Sequence, residues 1–295
     1  MLADRLARAA LVAGTLLLAC SATPLAADEE NPFGYVYSAE TLSKGEREAS
    51  QWVTARLGKE GGSYAGYDLR TEIETGLTDR LQAAFYVNTR AHRIHGVEDL
   101  EDRSSYQFQG VSAELKYRLR SPRHDGYGLA LYVEPGYNRV SRVSGEVEKE
   151  LELETRVIFQ KNFLDDTLIW SLNYTLEPEW AIGSNEEHGA EDEPGEEGEA
   201  RRELSEELST GLSFRVASDW SAGVELVARS VWPDFSHRES TALYLGPNLS
   251  YGAGRWWGSL SVLPQLRAWP SAGASGLDLH DGERLQVRLK LGFEF

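Results

Sequence analysis

Apolar residues fall on every second position at the end of the chain. Leu285, Val287, Leu289, Leu291, Phe293 and Phe295 alternate with Gln286, Arg288, Lys290, Gly292 and Glu294. A period of two puts one set on each face of a β-strand. The same rhythm returns about every twenty residues, over 67–77, 81–89, 111–119, 129–137, 151–159, 168–176, 204–216, 222–232, 243–251 and 256–266. With a less regular first segment at 48–57, the pattern predicts twelve strands. Tight turns at 78–80, 164–166, 218–219 and 252–255, and a longer one at 121–126, alternate with longer links near 93–105, 143–148, 184–201, 233–240 and 270–282. Short connections on one side and long ones on the other fit an antiparallel up-and-down barrel with both termini at the short-turn side.

Alternation does not say which face is buried. A soluble barrel fills its interior with side chains only up to about eight strands, and twelve strands carry too large an apolar set for that. The polar faces hold runs of charge, such as Arg70, Glu72 and Glu74, or Glu150, Glu152, Glu154 and Arg156. The apolar faces carry almost none, Glu206 being the clear exception. A Lys or Arg facing lipid at mid-bilayer costs about 2–4 kcal/mol, so the apolar set is expected to face hydrocarbon and the charged set a wet lumen. Tyr67, Tyr117, Tyr137, Trp180, Trp220, Trp232, Tyr251, Trp256, Trp257 and Phe293 fall near strand ends, where amphipathic rings favour the membrane interface.

Residues 1–27 read as a cleaved signal peptide, with Arg5 and Arg8, an apolar run over 9–19 and a small-residue site at Leu25-Ala26-Ala27. Cys20, the single cysteine, follows Leu17-Leu18-Ala19, so lipoprotein processing is the rival route. On the first route the mature chain has no thiol, which removes disulfides, thiol catalysis and Cys-bound zinc. Residues 28–45 form an amino-terminal periplasmic segment whose aromatic piece, Phe33-Gly34-Tyr35-Val36-Tyr37, is placed against the barrel interior or the periplasmic rim. The barrel itself spans 46–295. The net charge of −17 excludes a nucleic-acid binder, which needs clustered Lys and Arg.

Two stretches carry a resemblance. The terminal strand, ending on Phe295, resembles the closing strand of bacterial outer-membrane β-barrels, which implies recognition by the barrel-assembly machinery and a surrounding of outer-membrane lipid and lipopolysaccharide. Thr41-Leu42-Ser43-Lys44-Gly45, followed by Glu48 and Trp52, resembles the approach to the first strand in uncharacterised families of outer-membrane barrels, including relatives of channels associated with aromatic-compound catabolism. That resemblance covers about twenty residues and bears on the fold.

The functional expectation is a passive channel or facilitator for small polar or charged solutes, with no cofactor, no metal and no covalent step. Its lining is expected from Glu72, Glu74, Arg90, Glu114, Lys116, Arg118, Glu134, Glu152, Glu154, Arg156, Arg229 and Arg288. Facing charges of both signs set up a transverse field that sorts solutes, and the overall charge favours cations. The competing reading of the same ladder is a salt-bridge network that plugs the lumen. An acidic stretch at 184–201 reads as a solvated extracellular loop, since it lacks calcium-loop spacing. His92, His95, His124, His188, His237 and His280 show no metal-binding spacing; only His92 and His95, three apart, could share an ion with a third ligand. A lipid- or lipopolysaccharide-modifying enzyme, using Ser236 or Ser240 with His237, and a structural or adhesive barrel are the alternatives.

Overall fold

The computed structural model describes residues 32–182, 202–233, 235–270 and 275–295. Twelve strands run in chain order: β1 (Arg47–Leu57), β2 (Ser63–Thr78), β3 (Leu81–His95), β4 (Arg103–Arg120), β5 (Gly128–Val140), β6 (Val147–Phe163), β7 (Leu168–Ala181), β8 (Arg202–Ala217), β9 (Trp220–Trp232), β10 (Ser240–Ala253), β11 (Trp256–Trp269) and β12 (Leu285–Glu294). Each pairs antiparallel with its chain neighbours, and β12 returns to β1 with Val53 opposite Leu289, closing the barrel. Closure leaves no sheet edge, the condition for strands to cross hydrocarbon. The signal segment 1–27, the first residues of the amino-terminal segment and the acidic stretch 184–201 lie outside the described residues.

Turn chemistry explains the tight side. Thr78 accepts from the backbone N–H groups of Arg80 and Leu81 at 3.2 and 3.0 Å, which reverses the chain between β2 and β3. Between β10 and β11 the left-handed residue is Gly254, which has no Cβ to resist it.

Burial is inverted relative to a soluble protein. On β12, Lys290 is 2% exposed and its neighbour Leu291 51%. On β2, Glu72 and Glu74 are buried while Ile73 is exposed. The alternating faces therefore point as the charge pattern requires, with apolar side chains outward. Trp220 and Tyr251, and Trp256 and Phe293, stack in pairs at the short-turn end with ring centroids 4.8 and 4.6 Å apart. Trp257 departs from the expected girdle: it is 9% exposed and points into the lumen. Its neighbour Trp256 takes the outward place, as a period of two demands.

Candidate functional site

The lumen is occupied by residues 32–45, the described part of the amino-terminal segment. Residues 32–45 cross its periplasmic part, with Phe33, Tyr35, Val36, Ala39 and Leu42 each buried. This stretch makes no sheet, so its polar backbone groups need side-chain partners. The Glu225 carboxylate on β9 accepts the N–H groups of Gly34, Tyr35 and Val36 at 3.0, 2.7 and 2.8 Å, and the Ser261 hydroxyl as well. Further along, Asn173 accepts from Tyr37 N–H at 2.6 Å and donates to its carbonyl at 3.0 Å. Gln160 accepts from Ala39, and Gln82 from Leu42. Glu40 pairs with Arg118 at the rim.

Apolar contacts fix the same path. Phe33 and Val36 pack on Ile169, Tyr35 on Val227, Ala242, Tyr244 and Leu263, and Ala39 on Ala130, Tyr132 and Ile158. Burying side chains of this size contributes about 1.5–3 kcal/mol each. Gly211 on β8 makes room, because a Cβ there would meet the Phe33 ring at 2.6 Å.

This segment divides the expected lining. Glu72, Glu74, Glu114 and Lys116 surround a cavity of only about 20 Å³ with Tyr37, Trp52 and Lys290. Arg118 belongs to neither chamber; it bridges Glu40 and the Asp79 carbonyl. Arg90, Glu134, Glu152, Glu154, Arg156, Arg229 and Arg288 line a larger cavity of about 510 Å³, floored by Tyr35, Tyr37 and Trp52 and reaching loop residues Ser144, Glu146, His280 and Asp281. The twelve residues thus all lie on the inner side, but they do not form one continuous pore lining. The cause is tertiary: strand period says which face a residue takes, and nothing about what later fills the lumen.

The larger cavity is polarised. Arg56, Arg70, Arg90 and Arg288, from β1, β2, β3 and β12, dominate one wall, with Asp68 among them, and Glu134, Glu152, Glu154, Glu177, Glu179, Glu203 and Glu207, from β5 to β8, dominate the opposite one, with Arg156 among them. Eleven carboxylates and seven guanidinium groups line it in all. Ion pairs hold the walls in shape: Arg90 with Asp68 at 2.5 Å, Arg156 with Glu154 at 2.7 Å, Arg229 with Glu207 at 2.8 Å, and Arg70 with Glu134. Arg156 lies over the Tyr37 ring at 3.8 Å and Arg288 over Tyr35 at 4.0 Å, so aromatic residues of the amino-terminal segment are clamped by cations of the wall. Above the basic wall, Glu283 in the β11–β12 link is fully buried against Arg56 at 2.9 Å and Arg142 at 3.4 Å. Burial raises its carboxyl, but Arg142, Arg56 and Lys59 outweigh that and hold it at about 2.

The expected lining left out Glu225, Arg56, Glu177 and Glu179; Tyr35 and Tyr37 were expected against the barrel interior or the periplasmic rim, and not as the floor of a cavity. One signal was available. Ala130, Ile158, Ile169, Val227 and Leu263 are apolar residues at lumen-facing positions, which a water-filled interior would not favour, and each sits where the segment packs. His92 and His95 point to opposite faces: His92 is buried with Nε2 3.1 Å from the Arg142 carbonyl, and His95 is exposed beside Asp102. They do not share an ion. Ser236 Oγ lies 2.8 Å from His237 Nδ1 in the exposed β9–β10 link.

Closed barrel, inverted burial and charged lumen define an outer-membrane β-barrel, a protein of the bacterial outer membrane, with its amino-terminal segment laid across the lumen. The chain belongs to DUF6662, a family of unknown function, whose model matches residues 25–295. Among solved structures it is similar to the COG4313 outer membrane channel from Pseudomonas putida F1, with a TM-score of 0.57 and 14% identity over 88% of this chain and 98% of that one. It is also similar to the β domain of the Bordetella autotransporter BrkA, with a TM-score of 0.52 and 11% identity over 86% of this chain and 100% of that one. At such identities the likeness concerns the fold. Comparison with curated proteins gave no match.

Proposed function

We propose that the protein is a passive, gated outer-membrane channel or facilitator for small polar or charged solutes, with a preference for cations. The observation that carries this reading is the cavity of about 510 Å³ whose basic and acidic walls face each other above a floor made of a non-sheet segment. A purely structural core would fill that space with packed side chains. Opposed walls orient a dipolar or charged solute in exchange for its water, and the excess of carboxylates over guanidinium groups favours positive charge. The floor is held by side-chain hydrogen bonds and apolar packing and takes part in no strand pairing, so it can leave without breaking the barrel. A solute therefore enters from the extracellular side, resides between the walls and passes when residues 32–45 withdraw.

No covalent step enters this scheme. The Ser236 and His237 contact joins adjacent residues and is assigned no reaction. Reconstitution in a planar bilayer tests the proposal: discrete openings are expected, with a reversal potential in a salt gradient on the cation side. A chain that gives no openings at any voltage, nor after the amino-terminal segment is released, refutes transport and leaves a structural or adhesive barrel. Cleavage of labelled phospholipid or lipopolysaccharide, lost on His237→Ala, would instead establish the enzyme reading.

A further inference from the structure

The lipid-facing surface carries its own charge pattern. Apart from the ends of β1 and β6 at the short-turn side, where Arg47 and Lys161 sit, its ionised residues lie toward the extracellular end. Among the described strand residues they are Arg93, Arg139, Lys149, Arg202 and Arg267, with Glu206 the one carboxylate. In a chain with 47 acidic and 30 basic residues, that sign is reversed. Arg93, Arg139, Lys149 and Arg202 are exposed, and none of them is in an ion pair among the described residues.

The pairing register sets these four within about 4 Å of one height. A hydrogen-bonded row runs from Val87 on β3 through Val111, Tyr137, Leu151 and Trp180 to Arg202 on β8. Arg93 lies six residues above this row, about 20 Å at about 3.4 Å per residue. Arg202 is on the row five strands away, about 24 Å at about 4.8 Å per strand. In a barrel whose strands tilt by about 40° such a row climbs by that amount, so Arg93 and Arg202 come out level. Arg139 and Lys149, each two residues above the row at Tyr137 and Leu151, lie between them around the barrel and within about 4 Å of the same height. Just below lie the outward rings of Tyr106, Tyr137 and Trp180, then the apolar band.

We infer that this half-circle of cations binds the phosphate groups of lipopolysaccharide in the extracellular leaflet. A cation above an aromatic belt meets a headgroup whose acyl chains run down the apolar band. A glycerophospholipid offers one phosphate to one cation. Lipopolysaccharide carries phosphates at both ends of a sugar core that bears several acyl chains, and so engages level cations on separate strands. Arg139 and Lys149, on paired strands, form the centre of the site.

Native mass spectrometry of the full-length protein in detergent tests this with three probes: lipopolysaccharide, enzymatically dephosphorylated lipopolysaccharide, and phosphatidylglycerol. Wild-type protein should retain the first and release the other two. The Arg139→Gln/Lys149→Gln variant should bind lipopolysaccharide about thirtyfold more weakly, at about fivefold for each cation near an anionic surface. Arg47→Gln/Lys161→Gln, at the other end of the barrel, should bind as wild type. Heat-modifiable electrophoretic migration verifies that each variant is folded. A variant that does not fold is replaced by Arg93→Gln/Arg202→Gln, from which a loss of the same order is expected. Equal retention of phosphorylated and dephosphorylated forms, equal retention of phosphatidylglycerol, or unchanged binding by the folded variant overturns the assignment.

Discussion

Replacing Glu225 by glutamine should make the lumen open more often. The carboxylate is 0% exposed and takes three backbone N–H donors, those of Gly34, Tyr35 and Val36, together with the Ser261 hydroxyl. Glutamine has nearly the same shape but keeps only one oxygen, and its amide nitrogen then faces backbone donors. Hydrogen bonds to a charged acceptor contribute about 1.5–3 kcal/mol and neutral ones about 0.5–1.5. The loss is thus about 1 kcal/mol for each of the three backbone bonds, or about 3 kcal/mol in all. That raises the ratio of released to seated segment about a hundredfold. Strand pairing is untouched, so resistance of the barrel to urea should stay near wild type. The assay is single-channel recording in planar bilayers, scoring the fraction of time open, with Glu146→Gln, at an exposed loop position lining the cavity, as control. Glu225→Gln openings as rare as those of wild type, in a barrel that is folded, would refute the idea that this carboxylate seats the segment. A wild-type channel already fully open would refute the seat itself.

Three further outcomes follow from the same geometry. Changing Glu152, Glu177 and Glu179 together to glutamine takes the formal charge of the lining from −4, eleven carboxylates against seven guanidinium groups, to −1; the reversal potential in a salt gradient, recorded at alkaline pH where the carboxylates are ionised, should move toward zero. Glu283 is held at about 2, below its ordinary 4.5, so its stabilising effect is complete above about pH 4.5 and is lost as pH falls toward 2. Glu283→Gln should flatten that acid limb in thermal melts and lower stability at pH 7 by about 2 kcal/mol, since Arg56 loses one charged partner and keeps Asp68 at 2.7 Å. Leu289→Arg, on the lipid face at the middle of β12, should cost about 2–4 kcal/mol in urea titrations of folding into vesicles; no change would mean that this face does not meet hydrocarbon.

The strand count, the closing strand and the inverted orientation were all legible in the sequence, because a strand has a period of two and charge is expensive in hydrocarbon. Lys290 and Leu291 show it: adjacent in sequence, opposite in surroundings, and told apart by side-chain chemistry alone. Which lumen residues share a chamber was not legible. Glu72 and Glu134 both read as lining, yet Tyr37 and Trp52 stand between their cavities. Glu225 is one more carboxylate on a polar face until the chain 190 residues earlier comes to rest on it. A strand pattern fixes facing, since that depends on neighbours two residues away. Contacts across a closed barrel depend on register, tilt and the path of a segment with no period of its own, and only the folded molecule brings these together.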